Sequence, residues 1–281
     1  MALNLPTFYK RTGSAIVFAA IMLTGLLWNE WTFYALMCLI NVLCLRDYFR
    51  LIPKIDKETY WPKWLPLKFH ALGLILISLM MAMFSHSVTY AHLDVILIIV
   101  VTGLCIFPAS MLLVTALSKK SSLFAMLQSI GGILYITLPL MLLMKMELQN
   151  FVLPIAVILM IWTNDTMAYL VGSFIGKRSF SPISPKKTWE GVIGGIILTI
   201  IGAGIYGYCS QTYRFADWMA LALITTIMGT LGDLLESKLK RIADVKDSGT
   251  LMPGHGGALD RFDSLLVAAP FAFVYAFYFM R

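Results

Sequence analysis

Apolar residues in this chain do not alternate and do not follow a heptad. They run in long blocks, each close to the roughly 20 residues a helix needs to cross the hydrocarbon core of a bilayer. Blocks at 12–28, 31–45, 69–86, 94–117, 122–144, 150–172, 190–210, 215–236 and 264–280 predict an all-α, polytopic transmembrane bundle of nine spans. Only Asn29-Glu30 separates the first two. The polar intervals at 46–68, 173–189 and 237–263 are the longest. No repeat, low-complexity tract or flexible linker interrupts the pattern. The reading divides the chain into an N-terminal span region, 1–150, and a C-terminal region, 151–281, that carries the loops 173–189 and 237–263.

Composition and charge sharpen this picture. The 281 residues are 59% hydrophobic and 13% charged, whereas soluble domains carry about 25% charged residues. With nine spans and the N-terminus inside, 19 of the 22 lysines and arginines fall in cytoplasmic segments, leaving Lys145, Arg214 and Arg281 outside. Merging the first two spans would reverse that bias, against the positive-inside rule. The net charge of +7 is therefore assigned to cytoplasmic loops and anionic lipid, not to nucleic acid. Met1 to Arg11 is basic ahead of an apolar run, as in a signal peptide. Trp28-Asn29-Glu30-Trp31 stands where a small-residue cleavage site belongs, so a retained first span is expected. Tyr60, Trp61 and Trp64 among lysines make 46–68 either an interfacial segment or an ordinary loop.

Several motifs lead nowhere. Gly202-Ala-Gly204-Ile-Tyr-Gly207 fits GxGxxG but lies inside an apolar span with no strand before it, so it reads as small-residue helix packing. Gly172 to Arg178 is a damaged phosphate loop, short by one residue and with Arg in place of Ser/Thr. Asn164-Asp-Thr166 is a formal glycosylation sequon at the predicted inner end of a span, beyond a lumenal enzyme. Cys38, Cys44, Cys105 and Cys209 sit in apolar runs without metal spacing, and His70, His86 and His92 form no zinc pair.

The acidic residues are more telling. Asp165, Glu190, Asp233, Glu236, Asp244, Asp247, Asp260 and Asp263 gather between residues 160 and 263, several of them in or against apolar spans. A carboxylate at the centre of a span costs about 2.5–3.5 kcal/mol. Helical spacing places Asp233, Glu236, Ser237, Lys240 and Arg241 on one stripe, acidic then basic. Asp260 and Asp263 share a face at the entry to the last span. Such carboxylates suit a hard cation such as magnesium, which takes one or two of them and completes its shell with water and phosphate. A proton or sodium relay, or plain helix-to-helix ion pairs, would use the same residue types. Between the two helices, Lys246-Asp247-Ser248-Gly249 to Gly254-His255-Gly256-Gly257 cannot form a regular helix, and it can turn backbone N–H groups toward a phosphate. Upstream, Ser184-Pro185-Lys186-Lys187-Thr188-Trp189-Glu190-Gly191 combines a proline-fixed turn, paired lysines and a helix N-cap in Thr188, as a triphosphate site would. The lysine pair would equally serve as ordinary positive-inside residues.

The run from Ser237-Lys-Leu-Lys240-Arg241 through Lys246-Asp247-Ser-Gly, Met252-Pro253-Gly-His255-Gly256-Gly257 and Asp260-Arg261-x-Asp263 closely resembles the signature of the phosphatidate cytidylyltransferases, or CDP-diglyceride synthetases. Ser184 to Gly191 and Asn164-Asp165-x-x-Ala168-Tyr169 resemble that family as well. The likeness is close over about 160–270, and earlier residues agree mainly in hydropathy. Met252 stands where Leu or Ile is expected, and Asn-Asp-Thr at 164–166 where Ala-Asp-Ser is expected.

The resemblance implies transfer of CMP from CTP to phosphatidate, giving CDP-diacylglycerol and pyrophosphate for phospholipid biosynthesis. It implies a Mg²⁺ requirement, with a second, monovalent cation conceivable, a bacterial inner-membrane location with the site on the cytoplasmic face, and a homodimer. It maps the metal ligands onto Asp233, Asp260 and Asp263. Lys246, Asp247, His255 and Arg261 join them in the expected catalytic set, His255 as a proton donor to pyrophosphate or an orienting group. Asp165, Ser184, Lys186, Lys187, Thr188, Ser237, Lys240, Arg241, Gly256 and Gly257 are the expected substrate-binding set. A cation-coupled transporter, a CTP-dependent lipid kinase and a cytidylyltransferase for another lipid phosphate are the competing readings.

Overall fold

The structure is a computed structural model that describes residues 17–84, 123–251 and 256–280. Its elements are α1 (Val17–Leu27), α2 (Glu30–Ile55), α3 (Leu65–Phe84), α4 (Leu123–Gln149), α5 (Val152–Ile175), β1 (Ser179–Ser181), β2 (Ser184–Thr188), α6 (Trp189–Ser210), α7 (Phe215–Ile242) and α8 (Leu259–Tyr278). Helices dominate, as the block pattern predicts. Among the described residues, five helices are long and apolar enough to span a bilayer: α3, α4, α5, α6 and α7. α1 is shorter, α8 does not meet the same measure, and the predicted span 94–117 lies outside the described residues. On α6 an exposed stripe of Ile193, Ile197, Ile201 and Ile205 repeats every fourth residue. Water would penalise such a face, whereas lipid accepts it. The chain is a multi-pass helical membrane protein.

Contacts divide the chain into two compact units. One comprises residues 1–148 with 242–261, the other 149–241 with 262–281.

In the first unit, the break at Asn29 is a capping box. The Asn29 side chain accepts from Thr32 N at 2.9 Å, and Thr32 Oγ1 accepts from Asn29 N at 3.1 Å. Two helices therefore form where the apolar run is almost continuous. α2 runs to Ile55, past the predicted boundary at 45. Its buried side continues through Cys44, Leu45, Tyr48, Phe49, Leu51 and Ile52, while Arg50 turns outward. Helical periodicity thus outlasts the uninterrupted apolar block. α4 contains a π-helical stretch, Ile133–Thr137. Tyr48 lies against Gly132 just before it and donates to Gln128 O at 2.8 Å, and Thr137 Oγ1 donates to Asn41 Oδ1 at 2.7 Å.

In the second unit, α5 and α6 pack along their length. Gly191, Gly194 and Gly195 meet Ala168, Val171 and the Asn164 carbonyl, so the helices approach through small residues. The GxGxxG stretch serves helix contact in part. Gly204 faces Met219 and Gly207 faces Trp218, while Gly202 borders open space. The segment 173–189, expected to be loop in an all-α protein, instead holds an antiparallel hairpin, with Ser179 opposite Thr188 and Ser181 opposite Ser184. Three- and five-residue strands carry too little hydrophobic alternation to be legible as strands.

Candidate active site

Two groups of predicted site residues are brought together, one in each unit. In the second unit, a cavity of about 460 Å³ opens where the hairpin meets α5, α6 and α7. Asp165, Lys186, Lys187, Thr188 and Asp233 line it together with Tyr169. The hairpin supplies both lysines at the end of β2. Thr188 then switches the chain into α6 as its N-cap, its hydroxyl accepting from Gly191 N at 3.2 Å. Space for that hydroxyl comes from Gly172 and Gly176, where an added Cβ would crowd Thr188 Oγ1. The glycines of the apparent phosphate loop therefore make room for a neighbouring strand.

Charge in this cavity is balanced locally. Lys187 is ion-paired with Asp233, and Ser237 Oγ donates to Asp233 Oδ1 at 3.2 Å. One turn on, Lys240 is ion-paired with the fully buried Glu236. Asp263, 7% exposed, feels the charges of Asp233, Asp165 and Lys240, and its Oδ1 accepts from Ser264 N at 2.6 Å. Gly232 permits this approach of α7 to α8: a Cβ there would stand 2.6 Å from the Asp263 carbonyl oxygen. Lysines interleaved with carboxylates can hold a polyanion together with its counter-cation.

The second group, in the first unit, is the turn leading into α8. Asp260 Oδ2 accepts from Ser248 N (3.0 Å), Ser248 Oγ (2.9 Å) and Gly257 N (2.6 Å). Gly256 takes φ +82°, a left-handed conformation that favours glycine, and lies against Asp260 and Asp247. Asp260, expected as a metal ligand, thus folds the turn with one of its oxygens. Lys246, Asp247 and Arg261 are exposed, Arg241 is exposed near the end of α7, and Ser184 sits in β2 outside the cavity lining. His255 falls outside the described residues.

Among the described residues, no three carboxylate, histidine or cysteine side chains gather closely enough to cage a metal. The donors that fit magnesium are those of a shared site, one or two carboxylates completed by phosphate and water. Sequence reasoning missed Asp47, a carboxylate of α2 that reaches the same turn. The available signal was an acidic residue between Arg46 and Arg50 at the end of an apolar block.

Phosphatidate cytidylyltransferase of Bacillus subtilis is 48% identical over 115 residues, which is 40% of this chain and 43% of that protein. The enzyme of the same name from Haemophilus influenzae is 44% identical over 130 residues, 44% of this chain and 45% of that protein. That from Staphylococcus saprophyticus is 44% identical over 115 residues, 40% and 44% respectively. The alignable stretch spans less than half the length of these relatives. The Cytidylyltransferase family as a whole matches residues 9–279, and with nearly the entire chain inside that match, the protein belongs to the Cytidylyltransferase family.

Proposed function

We propose that this protein transfers the cytidylyl group of CTP to phosphatidate, releasing pyrophosphate and leaving CDP-diacylglycerol in the membrane. The observation that carries this reading is the cavity in which Lys186, Lys187 and the N-terminal end of α6 face Asp165 and Asp233. Relatives named phosphatidate cytidylyltransferase support the choice of substrates. An oxygen of the phosphatidate phosphate attacks the α-phosphorus of CTP. The new P–O bond forms as the bond from that phosphorus to the bridging oxygen breaks, and pyrophosphate leaves with the electron pair. The attacking group is already an anion, so positioning and charge neutralisation supply most of the catalysis.

Lys186 and Lys187 neutralise phosphate oxygens, and the helix N-terminus capped by Thr188 adds its positive end. The stripe Ser237, Lys240 and Arg241 extends the basic surface toward the end of α7. Asp233 and Asp263 would hold Mg²⁺, with Asp260 contributing as the resemblance implies. When bound, the ion neutralises phosphate charge and polarises the phosphoryl oxygens. Asp165 stands by as a further ligand or as an orienting group. The polar ends of the helices, rich in lysine and arginine, support a cytoplasmic-face site in a bacterial inner membrane, with anionic lipid around it. A homodimer completes the reading.

The test uses purified full-length protein with labelled CTP, phosphatidate and Mg²⁺, read out as lipid-linked cytidine and released pyrophosphate. Asp263→Asn abolishes product while the protein stays inserted and folded; near-normal turnover in that variant refutes the metal assignment. Ion flux across proteoliposomes without pyrophosphate release would instead establish the transporter reading.

A further inference from the structure

The glycine-rich turn before α8 is held from two sides. Asp260, in its own helix, holds one side. The other holder is 211 residues away from Ala258 in sequence: Asp47 of α2, whose side chain is wholly buried. Asp47 Oδ2 accepts from Ala258 N at 2.6 Å and from Leu259 N at 3.4 Å. These are the first backbone donors of α8, which have no partner within the helix. Asp47 therefore caps α8 from another helix and places a negative charge at its positive end. Its Oδ1 faces Arg46 Nε at 3.5 Å and Arg50 Nη1 at 3.9 Å, and those arginines stabilise the buried anion. Gly249 and Gly257 close the cradle. A Cβ on either would collide with the Asp47 carboxylate, at its Oδ1 and Oδ2 respectively. Two glycines of the turn are thus fitted to one side chain outside the stretch that carries the close family resemblance.

We infer that Asp47 is a positioning residue for the reaction: it fixes Gly249, Gly257, Ala258 and Leu259 at the start of α8, and Gly257 belongs to the expected substrate-binding set. The inference rests on the proposed cytidylyl transfer for its kinetic readout, but the anchor itself has an independent one.

The experiment is Asp47→Asn in the full-length protein. Loss of a charge-assisted cap raises amide exchange at Ala258 and Leu259 by about thirtyfold. In the proposed reaction, KM for CTP rises about tenfold while KM for phosphatidate stays within about twofold, the signature of a misplaced nucleotide loop. A merely structural role would reduce the active fraction and lower apparent kcat, leaving both KM values where they were; that outcome overturns the inference. Gly249→Ala presses on the same carboxylate from the loop side and produces the same split between the two KM values. If neither variant accumulates in the membrane, Asp47 is a folding determinant and the positioning role is overturned. A wild-type protein that makes no CDP-lipid refutes the proposed reaction instead, and unchanged exchange at Ala258 and Leu259 then decides against the anchor.

Discussion

Replacing Gly232 by alanine adds one methyl group at a close approach of α7 to α8. That carbon would stand 2.6 Å from the Asp263 carbonyl oxygen, 3.0 Å from Val267 Cβ and 3.1 Å from Ser264 Cα. Two of those three neighbours are backbone atoms, so no rotamer change relieves the overlap and the helices must separate. Overpacking of this kind costs about 1–3 kcal/mol, while glycine to alanine inside a helix returns about 1 kcal/mol. The internal control is Gly202→Ala, where nothing lies within 4 Å and only the helix-propensity gain remains. The two alanine variants should therefore differ by about 2 kcal/mol, or about 4–8 °C in apparent unfolding midpoint for a chain of this size. Thermal unfolding in one detergent at one scan rate measures the difference, because membrane proteins unfold irreversibly and midpoints depend on rate. The same displacement moves Asp263 relative to Asp233, so CDP-lipid formation should fall by up to about a hundredfold in Gly232→Ala alone. Equal midpoints and equal activities in the two variants would refute the close approach and the pairing of carboxylates built on it.

Thr188→Ala removes the cap of α6 and should cost about 1 kcal/mol of stability, seen as a lower unfolding midpoint; because Lys187 is the preceding residue, KM for CTP should rise as well. Asp56, outside the spans, accepts from the Thr59 hydroxyl at 2.6 Å, and that bond leads in holding its carboxyl below the usual range. A depressed carboxylate stabilises the fold above its unfolded value near ~4, and the contribution disappears as pH falls through the lower folded value. Thr59→Val should move the Asp56 titration upward in a carbon-detected carboxyl NMR experiment.

The long helices were legible because bilayer thickness imposes a single length scale on apolar blocks, and α5 and α6 start and stop close to the predicted limits. α2 was misjudged at its C-terminal end because amphipathic burial replaces uniform hydrophobicity there, and a block-based reading sees only the latter. The hairpin was invisible because its strands are short and polar, and tertiary support from α5 and α6 outweighs their weak intrinsic signal. Asp165 and Asp233 were identifiable as carboxylates in or against apolar spans, and Lys186, Lys187 and Thr188 as a lysine pair ahead of a helix N-cap; the structure brings them to one cavity. Asp47 escaped notice because its partners are backbone groups far along the chain. Only a folded chain shows that Gly249 and Gly257 are shaped around it.

The hairpin also carries a depth gauge. Phe180 and Trp189 meet edge to face, with ring centroids 4.6 Å apart, just where β2 passes into α6. Tryptophan favours the boundary between headgroups and acyl chains, so in a bilayer this aromatic pair would set how deeply the hairpin sits. Held by it, Lys186 and Lys187 would stand at the level of lipid phosphates. A thicker or thinner bilayer would change the tilt of α6 before it changed the height of those two ammonium groups.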